Sequence, residues 1–151
     1  MKKQLIIILT CVFLVPFIAG AVNTQENLKI KDVFHIYGKR KDVVMVELSK
    51  EMLDTYDITF YKSITIKNDP EALRFIRKCL ENDQEGAHKI KEVTSEGGII
   101  SAYYQIPVSN SNMNRFILFK VNQKGVITLI YIEGELDSDD LISILFTKKD
   151  F

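Results

Sequence analysis

Between Ile58 and Lys67 apolar and polar side chains alternate. Ile58, Phe60, Ile64 and Ile66 fall on one side, and Thr59, Tyr61, Ser63, Thr65 and Lys67 on the other, with Lys62 as the break. A chain with this pattern builds a strand with one buried and one largely wet face. Antiparallel pairing is expected, because parallel strands covered on both sides run apolar throughout. Asp69 and Pro70 then end the strand and start a helix: Asp69 is the N-cap, Pro70 takes the first helical position and Glu71 sits in the first turn. The inward stripe of this helix is Ala72, Leu73, Ile76, Cys79 and Leu80, and Asn82 to Glu85 fray it before Gly86.

The flanking segments carry the same two periodicities. Ile30, Val33, Phe34 and Tyr37 recur at helical spacing, and Gly38 is placed to end that helix in a left-handed cap. Lys39, Arg40 and Lys41 lead into Val43 to Leu48, a β-branched run that reads as a strand, and Ser49 caps a short turn through Lys50 to Leu53. The last half reads as consecutive strands. Lys89 to Ser95 and Ile99 to Ile106 form a hairpin closed by Gly97 and Gly98. Ser109, Asn110, Ser111, Asn112, Met113 and Asn114 are expected to be a mobile connection, and Phe116 to Val121 and Val126 to Ile132 then flank Asn122 to Gly125. A final helix is capped by Asp137 or Ser138, with Asp139 and Asp140 at its positive end. Leu141, Ile142, Leu145 and Phe146 form its apolar side, and Lys148 and Lys149 suit its negative end. The expected fold is α+β: a mostly antiparallel sheet of about six strands with three helices, in the order α-β-β-α-β-β-β-β-α.

The first residues read as a targeting segment. Met1, Lys2 and Lys3 form a positive region, Leu5 to Ile18 an apolar stretch interrupted by Thr10, Cys11 and Pro16, and Ala19, Gly20 and Ala21 supply the small residues a signal peptidase accepts. Residues 1–21 are expected to be a signal peptide cut before Val22, leaving 22–151 as a single domain in the periplasm or outside the cell. The competing reading is a membrane anchor, for which Leu5 to Val22 is marginally long enough if Pro16 and Gly20 are tolerated. Cys11 lies inside the apolar run, which argues against a lipid anchor. After cleavage Cys79 is the sole cysteine, so no intramolecular disulfide forms and stability comes from the core.

Charge excludes one class of partner. The 20 Lys and Arg balance 20 Asp and Glu. Phosphate-backbone binding draws on a cationic surface, and no Lys/Arg stripe with interleaved aromatics is present, so no nucleic-acid partner is expected.

The candidates for chemistry are sparse. His35 and His88 have no partner at metal-ligand spacing, and both read as solvated surface residues. Cys79 shares a helix face with Leu73, Ile76 and Leu80, so it reads as a buried thiol rather than a nucleophile activated by Arg77 and Lys78. Glu133, Glu135, Asp137, Asp139 and Asp140 form the densest carboxylate cluster, but without the turn glycine and closing Glu of a calcium loop they read as strand exit and helix cap. No phosphate-binding glycine loop or G-x-S-x-G elbow is present. No catalytic group, cofactor or metal is therefore expected. The alternative is a small-ligand binder or enzyme with a cleft around Cys79, His88 or the Glu133 to Asp140 segment.

Phe116 to Phe119 and Ile127 to Ile132 carry apolar residues in both alternating registers, so both faces of those strands want cover. If the three helices shield one face, Phe116 and Leu118 with Ile127, Leu129 and Tyr131, extended by Tyr103, are left to meet a protein or peptide partner or a second copy. The other solution is that the first helix or a neighbouring strand wraps round and covers this surface within one monomer.

Three stretches carry a resemblance: Ile30-Lys31-Asp32-Val33-Phe34 with Tyr37, Val43 to Leu48 running into Ser49-Lys50-Glu51-Met52, and Ile130-Tyr131-Ile132-Glu133-Gly134-Glu135-Leu136-Asp137 before a short helix. With the lysine-led leader, the chain resembles small exported proteins of unknown function from Bacteroidota. The resemblance implies an envelope or secreted protein with helices against an antiparallel sheet, and it brings no catalytic residues with it.

Overall fold

The computed structural model describes residues 28–147. The expected leader, residues 1–21, lies outside them, as do Lys148, Lys149 and the side chain of Phe146. The elements are α1 (Ile30–Tyr37), β1 (Val44–Glu47), α2 (Lys50–Leu53) with a 3-10 turn (Asp54–Tyr56), β2 (Ile58–Lys67), α3 (Pro70–Asp83), β3 (His88–Ser95), β4 (Gly98–Pro107), β5 (Asn114–Val121), β6 (Val126–Gly134) and α4 (Ser138–Thr147). The six strands form one sheet in the order β1-β2-β6-β5-β4-β3, and every neighbouring pair is antiparallel. The fold class is α+β, with four helices rather than three, because Lys50–Leu53 closes a helical turn of its own. The β1–β2 hairpin fills one edge, α3 carries the chain to the far edge, and the meander β3 to β6 returns to β2.

Local chemistry sets the boundaries. The Asp69 carboxylate accepts from the Ala72 amide at 2.8 Å with Pro70 behind it, so β2 ends and α3 begins there. Asp137, not Ser138, caps α4, its Oδ1 accepting from the amides of Asp139 and Asp140 at 2.9 Å. Arg77 on α3 donates to the carbonyl of Ile99 at 2.8 Å and to that of Gly97, which fastens the β3–β4 turn to the helix.

Several local expectations are corrected. Gly38 is right-handed (φ −64), not a left-handed cap. A Cβ there would clash with the Phe34 carbonyl oxygen and lie 2.5 Å from Met45 Sδ, and since the carbonyl belongs to the backbone of α1, glycine is needed where the helix ends. The Ser49 hydroxyl does not bond an amide of α2. It serves the Glu51 carboxyl, which its own backbone amide and then Ser49 hold below the usual range. Across residues 109–113 the Val108 amide donates to the Met113 carbonyl, and the Met113 amide to Ser111 Oγ. Asn114 belongs to β5, where it donates to the Leu136 carbonyl. A register shift between Ile58 and Phe60 turns Ile58 to the face opposite Phe60, Ile64 and Ile66.

The helices do not share one face. α1 and α3 cover Ile64, Ile66, Tyr104, Ile117, Phe119, Ile127, Leu129 and Tyr131. α4, through Leu141, and α2, through Leu53, cover Ile58, Tyr103, Phe116 and Ile132 on the other side. The expectation that three helices shield a single face is therefore corrected, and two layers of core sandwich the sheet.

Asp69 gives a direct check on this framework. Its carboxyl is held below the ordinary 3.8 by the Ala72 amide and then by Arg40, whose Nη1 lies 2.8 Å away. Because the folded value is depressed, this stabilisation is present above about pH 4 and is lost as the pH falls through the folded value. Urea unfolding at pH 7 should find Asp69→Ala less stable by about 1 kcal/mol and Asp69→Asn less affected. The deficit of Asp69→Ala should shrink below pH 4.

Candidate functional site

Directly opposed residues of an antiparallel pair share a face, so the pairing decides where each candidate points. Phe116 lies opposite Ile132, and Leu118 opposite Ile130 and Tyr103, all on the α4 side. Ile127, Leu129 and Tyr131 lie opposite Val121, Phe119 and Ile117, on the side of α1 and α3. The six residues expected to form one interaction face therefore divide between two. Tyr103, Phe116, Ile127, Leu129 and Tyr131 are buried in the monomer and Leu118 is half-buried. Apolar runs filled in both registers carry no phase of their own, and here the hairpin register supplied it.

On the α4 side the pairing lays out three rungs. Tyr61, Ile132, Phe116 and Gln105 form the first, of which Phe116 and Ile132 are packed in the core beneath α4. Val46, Ser63, Ile130, Leu118, Tyr103 and Lys91 form the second. Val44, Thr65, Thr128, Lys120, Ser101 and Val93 form the third, whose middle is polar and needs no cover. The apolar surplus is thus smaller than both-register strands suggest, and it collects at one edge. Of seven exposed large apolar side chains among the described residues, five lie between Val44 and Tyr56: Val44, Met45, Val46, Met52 and Tyr56. Val44 and Val46, 59% and 41% exposed, point to the α4 side, and Met45 points to the α1 side beside Gly38.

The polar alternative is a recess of about 230 Å³ between α1 and the sheet, lined by Lys31, Phe34, Phe60, Lys62, Tyr131 and Glu133. Small-molecule clefts run to roughly 300–1,000 Å³. Its charges are already matched: Lys31 lies 3.9 Å from Glu133 and 5.4 Å from the Tyr131 ring centre, and Lys62 lies 3.2 Å from Glu47. Burial and the bond to Glu133 push the Tyr131 phenol well up, so it stays protonated at neutral pH. Close to α1, the buried Asp83 at the end of α3 accepts from the amides of Lys29 and Ile30 at 2.7 and 2.8 Å. It caps α1 from another element, and burial raises its carboxyl against the pull of those amides and of buried Arg115. Sequence reasoning missed both residues. Asp83 falls on the stripe of Ile76, Cys79 and Leu80, and Arg115 in the inward register of Ile117 and Phe119, so each is a charge at an apolar phase.

The other candidates are dispersed. Cys79 is buried on α3, and His88 is exposed on β3. Glu133 faces α1 while Asp137 caps α4, and His35 is exposed on α1. Among the described residues no group of three or more His, Cys, Asp or Glu side chains is arranged to hold a metal ion. A second recess at the start of α3, lined by Asn68, Asp69, Pro70, Leu73, Gly125 and Ile127, has its helix N-terminus filled by the chain's own Asp69 carboxylate.

These features define an α+β sheet domain clothed on both faces by its own helices, with an exposed apolar edge. The chain belongs to a family of unknown function, DUF6108, which it matches over residues 17–145. No curated protein and no solved structure matches it.

The buried thiol supplies a test of this arrangement. Burial, then Asp83 and Asp32, push Cys79 up to about 11. A disulfide reagent at pH 8 should label folded protein slowly and urea-unfolded protein at once. Rapid labelling of the folded state would restore Cys79 as a candidate nucleophile.

Proposed function

We propose that the chain is an exported, non-enzymatic binding module that engages another protein chain through the apolar edge formed by β1 and α2. The observation that carries this reading is that five of the seven exposed large apolar side chains among the described residues, Val44, Met45, Val46, Met52 and Tyr56, fall on the edge strand β1 and the helical turns that follow it. Exposed apolar clusters on small domains mark association surfaces, and a free sheet edge offers main-chain hydrogen bonds to a partner strand. The small recess with matched charges and the scattered Cys79, His88 and acidic side chains favour binding over catalysis.

Export rests on the leader: Lys2 and Lys3, the apolar Leu5 to Ile18, and Ala19-Gly20-Ala21. The reading places the mature protein in the periplasm or outside the cell and assigns it to the exported proteins of Bacteroidota that its sequence resembles. Among the described residues no helix is long and apolar enough to cross a membrane.

Expression of the full chain in a bacterial host tests export. The purified protein should have a mass that begins at Val22 and should leave the membrane fraction. An intact Met1 chain embedded in lipid would contradict it. For the edge, a Val44→Lys/Val46→Lys variant should melt like the wild type yet fail to retain the envelope protein that the immobilised wild type captures. Equal capture by both would remove β1 from the account.

A further inference from the structure

We infer that the occupant of the β1 edge is a second copy of this chain, paired antiparallel about a two-fold axis at Met45. This rests on the binding-module reading above and names its partner. The two edges of the sheet are built differently. β3 carries Lys89, Lys91 and Glu92, and its ladder with β4 shifts register twice, between Lys89 and Lys91 and between Val93 and Thr94. Charges and bulges of this kind keep an edge from pairing with another chain. β1 keeps a regular register with β2 through Val44, Met45, Val46 and Glu47 and presents three consecutive exposed apolar side chains without a proline or a bulge.

Self-pairing also selects one register. Facing residues must share a face, so the axis passes through a residue pair of matching phase. Centred on Met45, Val44 meets Val46 of the second copy on one face, twice by symmetry, and the two Met45 side chains meet on the other. Centred on Val44 instead, Asp42 would oppose Val46. Centred on Val46, Glu47 would oppose Met45. Only the Met45 axis sets apolar against apolar at Val44, Met45 and Val46 alike, with Glu47 falling opposite the half-buried Val43 just beyond them.

The flanking charges agree with the direction. β1 is preceded by the exposed Lys39 and Lys41, with Arg40 between them already paired to Asp42 and Asp69, and it ends at the exposed Glu47, which pairs with Lys62, with Glu51 just beyond. Antiparallel pairing brings the basic start of one strand beside the acidic end of the other, with Lys41 a diagonal neighbour of Glu47 from the second copy. The two sheets join into one, and the rung that Val46 shares with Ser63, Ile130 and Leu118 runs across the axis into the rung of Val44, Thr65 and Thr128 of the second copy, so the apolar contact is confined to the two strands at the axis. Four residues per strand make few hydrogen bonds, so the dimer is weak and reversible.

Sedimentation of the protein purified after full-chain expression should show a monomer–dimer equilibrium that Val46→Lys weakens about tenfold or more. Met45→Cys should form an inter-chain disulfide in air about tenfold faster than Lys91→Cys on the β3 edge, with Cys79 buried in both. A wild type that stays monomeric at the highest attainable concentration overturns the inference, as does a dimer indifferent to Val46→Lys or one cross-linked equally well through β3. A monomer that still captures an envelope partner through Val44 and Val46 overturns the second copy and leaves the binding module standing. A monomer with no such capture overturns both.

Discussion

β6 carries apolar side chains in both of its registers, and a pleated strand cannot bury both against a single layer. Ile127, Leu129 and Tyr131 turn one way and Ile130 and Ile132 the other, so cover is needed on both sides of the strand. β6 sits between β2 and β5 in the middle of the sheet, which passes the same demand to its neighbours. The chain meets it by dividing its helices. α1 and α3 close one face, and α4, entered by a tight turn at the end of β6, folds back over Phe116 and Ile132 on the other. α4 has ten residues and α2 four, and with both in place Val44 and Val46 of β1 remain exposed on that face.

The α1 layer depends on a second constraint. α1 has eight residues and no side-chain cap of its own, since Lys29 at its N-cap position has nothing to accept with. Asp83 supplies the missing acceptor from the end of α3, with Arg115 as the nearby buried cation. Removing one member of such an arrangement leaves buried polar groups without partners, at a cost of about 1–3 kcal/mol for each group. The cluster thus ties α1 to α3, with the charge of Arg115 on β5 close by.

The strands, the start of α3 and both hairpins could be read along the chain because each has a local cause: alternation at Ile58 to Lys67, Asp69 before Pro70, and a glycine turn at Glu96 and Gly97. Gly98, already in β4, takes the positive φ expected of both glycines. The side of the sheet that each helix takes could not be read, since an apolar stripe states how a helix packs and not against what. The same limit split the expected face of Tyr103, Phe116, Leu118, Ile127, Leu129 and Tyr131, because runs filled in both registers do not fix their phase until their neighbours do. Ile58 changed sides through a bulge, and Gly38 answered to the Phe34 carbonyl oxygen and to Met45 across the α1–β1 turn. Asp83 and Arg115 were within reach: a charge in the phase of a buried stripe is a signal in itself. The exposed β1 edge became visible only once the covered residues had been subtracted.

The division of helices between the two faces is the claim on which the binding edge depends, and methyl nuclear Overhauser effects test it most directly. Leu141 should show contacts to the Phe116 and Ile132 layer, and Ile76 to the layer of Ile117 and Leu129, with no exchange between the two sets. Contacts from Leu141 to Leu129 or Ile117 would put α4 on the same face as α3, leave Phe116 and Ile132 uncovered, and contradict the account.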